Sequence, residues 1–219
     1  MNYQAAIFDM DGLLLDTERV CQQSFKKACE VLSLPFLETV YLGIIGQNAQ
    51  GIEQTIRNGY GESLDYTTLR KVWMQYYHEV VDHQAIPVKE GVIELLEWFK
   101  LHMIPMAVAT STEQKLANVK LELAGLKHYF TGITSGCEVT QGKPHPEIFQ
   151  LAAKRLNVKP EHCLGFEDSN NGVRSGVAAG LQMFQIPDLV SPGADIISLG
   201  HTIKPSLTSV LNQLQTVKK

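Results

Sequence analysis

Two short apolar runs each end in a pair of acids, and this constrains the chain more than any other feature. Ala5–Ala6–Ile7–Phe8 leads into Asp9 and, two residues further, Asp11, while Leu164–Gly165–Phe166 leads into Glu167–Asp168. Apolar runs this short, without polar alternation, read as strands buried on both faces, the pattern of a parallel sheet. An acid at the end of such a strand sits at the rim of the core, where an unpaired charge is costly. Gly12 then permits a tight turn at a point where backbone can approach a ligand.

The rest of the chain supplies neighbours for these strands. From about residue 15 to 85 the pattern is helix and loop. One helix runs from Glu18 to Leu32, capped by Asp16 or Thr17; a short one spans 51–58; another begins after Asp65 or Thr67 and carries Leu69, Val72, Trp73, Tyr76, Tyr77 and Val80. After Pro87 helices alternate with short strands. A helix with Val92, Leu95, Leu96 and Phe99 precedes a strand over 104–109. A helix with an apolar face of Leu116, Val119 and Leu123 follows, for which Ser111 and Gln114 form a candidate capping box. Strands are expected near 132–134, at 163–166 and at 182–186, with a possible edge strand over 195–199; helices carry Ile148, Phe149, Ala152 and Leu156, then span 170–179, and close the chain after Pro205. Strands separated by helices imply a parallel sheet covered on both faces. The first strand joins that sheet, so the expected domains are an α/β core of residues 1–14 and 86–219 and an inserted helical domain of residues 15–85.

Composition narrows the function classes. The 219 residues carry 19 Lys and Arg against 23 Asp and Glu, with a formal net charge of −4 and no basic stripe, which argues against a nucleic-acid partner. No apolar run approaches the ~20 residues of a membrane span, and the first residues lack the order of a signal peptide; a cytoplasmic location with no membrane partner is expected. Cys21, Cys29, Cys137 and Cys163 lack the paired spacing of a zinc site and read as small apolar residues in a reducing compartment.

In an open parallel sheet, ligands bind at the carboxyl ends of the strands. Asp9 and Asp11, Thr110 and Ser111, and Glu167 and Asp168 all follow predicted strands, so three pairs distant in sequence can converge. One carboxylate of the Asp9/Asp11 pair could attack phosphorus and bind a cation, and the other protonate the leaving oxygen and activate water; the plainer alternative is two acids capping a turn. Asp168, helped by Glu167, completes an oxygen cluster suited to magnesium, or else caps the next helix. Thr110 offers a hydroxyl to an anion or caps a helix. Lys143, between Gly142 and Pro144–His145–Pro146, either keeps the nucleophile ionised and binds phosphate or is solvated surface.

Four ordered segments, Asp9–Met10–Asp11–Gly12, Thr110–Ser111, Lys143–Pro144 and Gly165–Phe166–Glu167–Asp168–Ser169, resemble the haloacid-dehalogenase-like hydrolase superfamily, in particular its small-helical-cap phosphatases and beta-phosphoglucomutase-like members. The resemblance implies an α/β fold, a Rossmann-like parallel sheet core with an inserted all-helical cap domain. It implies that Asp9 forms an aspartyl-phosphate and Asp11 acts as general acid and base, while Thr110 and Lys143 bind the transferring phosphoryl group. Mg2+ would be held by Asp9, the backbone carbonyl of Asp11 and Asp168, with Glu167 acting through water. The related 2-haloacid dehalogenases usually have Tyr where Asp11 stands, so an acid there favours a phosphoryl substrate. Leu13, where Thr or Val is common, is a departure that bears on packing.

The resulting expectation is a magnesium-dependent phosphatase, a phosphoric monoester hydrolase acting on a small phosphorylated metabolite such as a sugar phosphate, as monomer or weak homodimer. Glu18, Gly46, Gln47, Ser111 and Lys143 are the candidate substrate-binding residues. A beta-phosphoglucomutase-like sugar phosphomutase is the first alternative, a non-catalytic metabolite-binding protein the second. Mutase-like members carry an Arg shortly after the glycine equivalent to Gly46; here Gln47, Asn48, Ala49 and Gln50 stand instead, which favours water as the phosphoryl acceptor.

Overall fold

The computed structural model describes residues 3–45, 47 and 49–217. The chain forms two compact units, one from the segments up to Asp16 and from Pro87 onward, the other from Thr17–Ile86. Strand β1 (Ala5–Phe8) opens the α/β unit. The helical unit follows, with α1 (Thr17–Val31), α2 (Glu38–Ile44), α3 (Ala49–Tyr60) and α4 (Tyr66–Val81). The α/β unit resumes with α5 (Val92–Leu101), β2 (Met106–Thr110), α6 (Gln114–Leu123), β3 (Gly132–Ser135), α7 (Glu147–Arg155) and β4 (Cys163–Glu167). It ends with α8 (Asn170–Ala179), β5 (Gln182–Gln185), α9 (Ala194–Ile197), β6 (Thr202–Ile203) and α10 (Leu207–Val217).

The six strands form one parallel sheet in the order β3-β2-β1-β4-β5-β6. This is the expected Rossmann-like core, with an all-helical region inserted after its first strand. β1 lies between β2 and β4, and Phe8 pairs with both Val108 and Phe166. Asp9 therefore emerges level with Ala109 and Glu167, and its amide donates to the Phe166 carbonyl at 2.9 Å. The order of strands reverses direction at β1, the position at which open α/β sheets leave a crevice for ligands.

The period of two along each strand sorts side chains onto two faces. On one, Ala5, Ile7, Ala109, Cys163 and Met183 pack with Ile148, Phe149, Ala152 and Ala153 of α7. On the other, Phe8, Phe166 and Phe184 lie in register on adjacent strands and stack, with ring centroids 4.5 and 5.5 Å apart. Phe99 of α5 meets Phe8 and Phe166 edge-on, each such pair adding about 0.5–1.5 kcal/mol to simple burial. Leu13, Leu14 and Leu15 are also buried, so the departure at Leu13 is a packing position.

The helical unit has its own core of Phe25, Ala28, Cys29, Tyr41, Ile44, Ile56, Tyr66, Leu69 and Trp73. Trp73 packs edge-on against Phe25 and donates its indole N–H to the Cys21 carbonyl at 3.1 Å. It is therefore a core residue. Among the described residues no helix is long and apolar enough to cross a membrane, and all four cysteines are free thiols.

Several local expectations are corrected. Residues 195–199 do not form the edge strand; Ala194–Ile197 is a helical turn, and the edge strand is β6, pairing Thr202 with Phe184. Its inward residues, Ile196 and Leu199, are three apart, a helical and not a strand spacing. The Ser111–Gln114 box is absent because Gln114 is the first residue of α6 and Glu113 occupies the cap position. The box geometry occurs instead at Ser135 and Glu138. The buried face of α6 is Ala117, Lys120 and Leu121, whereas Leu123 is exposed.

The Ser135–Glu138 box also ties β3 to the last turn of α7. Arg155 donates to Glu138 through Nη2 at 2.7 Å and Nη1 at 3.2 Å, and to Thr134 Oγ1 at 3.1 Å, while the Ser135 amide donates to Glu138 at 2.8 Å. The Arg155 hydrogen bonds, reinforced by Ser135, hold the Glu138 carboxyl down at about 2. A carboxyl depressed on folding stabilises above its unfolded value of about 4.3, and that contribution is lost as pH falls through the folded value. Glu138→Gln is expected to lower stability at pH 7, and urea titrations at pH 7, 4 and 3 should find the gap from wild type narrowing with pH.

Candidate active site

Three strand ends and one loop build the site. β1 delivers Asp9, β4 delivers Glu167 and Asp168, and β2 ends in Thr110. Asp9 and Glu167 are buried, and each has a carboxylate oxygen on Lys143 Nζ, at 2.5 and 2.6 Å. The Ala109 carbonyl accepts from the same nitrogen at 3.1 Å, so the three ammonium protons meet three acceptors.

Lys143 reaches this point because its loop is fixed on both sides. Glu147, the first residue of α7, accepts from the Thr140 and Gln141 amides at 3.0 Å each, and buried Ser175 of α8 donates to the His145 carbonyl at 2.6 Å. Burial pushes the Asp9 carboxyl well above the usual carboxylate range, Lys143 acting against it and the Glu167 charge with it. For Lys143, burial pulls down, but Asp9 and Glu167 outweigh it and keep the ammonium above its ordinary value.

Glu167 spends its second oxygen on the Ser169 amide at 2.7 Å and hydroxyl at 2.9 Å, and Ser169 in turn caps α8 through the Gly172 amide. Asp9, Glu167 and Asp168 present carboxylate oxygens within 4.8 Å of one another, a hard-oxygen set suited to a divalent cation. Asp168 lies against the turn after Asp11. Gly12 has φ +85°, and a Cβ there would stand 2.4 Å from Asp168 Oδ2, so conformation and space both require glycine. The Asp168 carbonyl is held by buried Gln185, whose amide donates to it at 3.2 Å and to Asn170 Oδ1 at 3.1 Å.

Asp11 faces a second group of residues. Its Oδ1 accepts from Lys120 Nζ at 2.7 Å, and its Oδ2 from Thr112 Oγ1 at 2.6 Å and Thr110 Oγ1 at 3.4 Å. Sequence reasoning missed Lys120, Thr112 and Gln185. Thr112 was detectable, because alternation on an extended segment puts it on the same side as Thr110. Lys120 could be found only with the helix phase corrected, as a lysine between Ala117 and Leu121.

The structure thus brings together Asp9, Asp11, Thr110, Lys143, Glu167 and Asp168. Ser111 is exposed. Glu18 and Gln47 belong to the helical unit: Glu18 is in the first turn of α1, and Gln47 bonds the Gly43 carbonyl at 2.7 Å and Thr55 at 3.2 Å. Gly46 and Asn48 lie outside the described residues. Arg174 pairs with Asp195.

A parallel sheet interrupted after its first strand by a helical insertion, with acids and a buried lysine at the strand ends, is the arrangement of a hydrolase. The chain belongs to the haloacid dehalogenase-like hydrolase family, whose model matches residues 3–180. It is 32% identical over 219 residues to a phosphorylated carbohydrates phosphatase of Thermotoga maritima, covering 98% of this chain and 99% of that one. Protein CbbY of Rhodobacter capsulatus is 31% identical over 97% of both chains. A crystal structure from Thermotoga maritima, described as a candidate beta-phosphoglucomutase, superposes with a TM-score of 0.81 at 30% identity, covering 98% of this chain and 99% of that one.

Gly12→Ala should cost about 1–3 kcal/mol, because a left-handed residue gains a Cβ against Asp168. Urea denaturation measures it; a change within about 0.3 kcal/mol of wild type would show that the turn relaxes.

Proposed function

We propose that the protein is a magnesium-dependent phosphatase that hydrolyses a small phosphate monoester, a sugar phosphate or a close analogue, through a phosphorylated Asp9. The observation that carries this reading is the buried Asp9 held by Lys143 beside Glu167 and Asp168, with a second acid, Asp11, two residues on. Resemblance in sequence to a phosphorylated carbohydrates phosphatase supports the substrate class.

Asp9, Asp168 and the backbone carbonyl of Asp11 would hold Mg2+, with Glu167, whose oxygens are engaged by Lys143 and Ser169, supporting it through water. The donor set fits: the Asp9, Glu167 and Asp168 carboxylates against the one ammonium among them, Lys143, leave two negative charges for a divalent ion to balance. When bound, the ion neutralises charge on the transferring phosphoryl group.

An Asp9 carboxylate oxygen attacks phosphorus, the bond from phosphorus to the leaving oxygen breaks, and the proton of the Asp11 carboxyl passes to that oxygen. Water then attacks the phosphorylated Asp9 and gives its proton to the Asp11 carboxylate. The bond between the Asp9 oxygen and phosphorus breaks, releasing inorganic phosphate. Lys143 and the Thr110 hydroxyl bind the phosphoryl oxygens in both steps. Glu18, Ser111 and the segment around Gly46 and Gln47 serve the rest of the substrate.

Sugar phosphomutase activity is the second reading, favoured by similarity to the candidate beta-phosphoglucomutase. The absence of an arginine from residues 47–50 weighs against it.

A panel of phosphomonoesters assayed for released phosphate, with and without EDTA, tests the proposal: turnover of sugar phosphates that EDTA abolishes is expected. Isomerisation dependent on a sugar bisphosphate primer would favour the mutase, and no turnover by folded, metal-saturated protein would overturn both. Asp9→Asn should reduce turnover by at least about 10⁴-fold while the protein remains folded. Substantial residual activity in Asp9→Asn would remove Asp9 as nucleophile.

A further inference from the structure

The Lys120 side chain is 1% exposed, yet it stands on a helix face otherwise made of Ala117 and Leu121. Burial of an ammonium is tolerated only where it meets acceptors, and its Nζ meets Asp11 Oδ1 at 2.7 Å. Thr112, at the start of the segment leading into α6, holds the other oxygen at 2.6 Å, with Thr110 a longer third donor at 3.4 Å. Donors from the end of β2 and from α6 thus converge on one carboxylate carried by the turn after β1. Both its oxygens are engaged, which restricts the rotamer of a side chain that remains 24% exposed.

We propose that Lys120, together with Thr112, is a positioning residue that aims the Asp11 carboxyl group for proton transfer. This rests on the reading of Asp11 as acid and base. At 1% exposure Lys120 is too deeply buried to touch a substrate, and its effect on the reaction runs through Asp11. In the first step the Asp11 proton must reach the leaving oxygen as its bond to phosphorus breaks and the bond from Asp9 forms. In the second, Asp11 must take a proton from the attacking water as the Asp9 bond breaks. A carboxyl group free to rotate meets neither requirement reliably.

Single-turnover phosphoryl transfer from two substrates separates positioning from general damage. An alkyl phosphate needs its leaving oxygen protonated; p-nitrophenyl phosphate departs as a phenolate and does not. Both are measured with Mg2+ for wild type, Lys120→Met, Lys120→Arg, Thr112→Val and Asp11→Asn. Lys120→Met is expected to slow alkyl transfer about 10–100-fold while aryl transfer stays within about 3-fold. Substrate affinity should not change, Thr112→Val should shift the same ratio by less, and Lys120→Arg should recover part of the loss.

Equal slowing of both substrates, no slowing, or faster alkyl transfer in Lys120→Met would overturn the proposal, provided Asp11→Asn itself discriminates between the substrates. If Asp11→Asn does not discriminate, the acid-base reading of Asp11 fails and the role of Lys120 falls with it. Should Lys120→Met not fold, Thr112→Val carries the comparison, and a wild-type substrate ratio in that variant overturns the proposal.

Discussion

The Lys143 ammonium lets the sheet end as it does. The register of β1 with β4 brings Asp9 and Glu167 level at adjacent strand ends, both buried, where two acids need a counter-charge between them. Lys143 supplies that charge and caps the Ala109 carbonyl of β2 with its third proton, so one nitrogen joins three strands. Removing one partner of a buried pair typically costs about 3–5 kcal/mol, because the survivor is left uncompensated. The anchoring of its loop by Glu147 and Ser175 is thus as much a part of the site as the acids.

Much of this was legible in the sequence. The runs 5–8 and 163–166 are uninterrupted and without charge, so strand, burial and parallel pairing followed together, and the acids just beyond them marked the rim. The misreadings share a cause: marginal local signals decided by tertiary packing. Residues 195–199 have the β-branched pair Ile196 and Ile197, yet only Ile196 turns inward and Ile197 stays 54% exposed. In α6, Leu116, Val119 and Leu123 look like the core stripe. The helix is instead rotated so that Lys120 reaches Asp11, an electrostatic gain that hydrophobic periodicity does not encode. Gln185 resembles an ordinary strand residue, and its link from His201 to the Asp168 carbonyl depends on the pairing of β4 with β5.

The two units divide the information in the chain. All the paired acids and lysines of the site belong to the α/β unit, whose chemistry is spelled by motifs. The helical unit is built on an aromatic core around Phe25, Tyr41 and Trp73, and the Gln47 amide is engaged within that unit, on Gly43 and Thr55. Its sequence therefore speaks clearly about its own packing and only indirectly about a leaving group. The relatives near 30% identity include a phosphatase and a candidate mutase, consistent with one core serving different acceptors.

On the face of the sheet away from the stacked phenylalanines, Met183 occupies a slot between two glycines. A Cβ on Gly165 of β4 or on Gly176 of α8 would fall 2.2 Å from its sulfur. The three positions form a lock with an order of release. Neither glycine can acquire a side chain while Met183 keeps its reach; a smaller residue at 183 would open room at Gly176, whereas at Gly165 Leu181 Cδ2, 3.0 Å from the same Cβ, would also have to give. The order of substitution at this spot is therefore constrained: a shorter side chain at 183 must precede any at 176, and at 165 it is necessary without being sufficient.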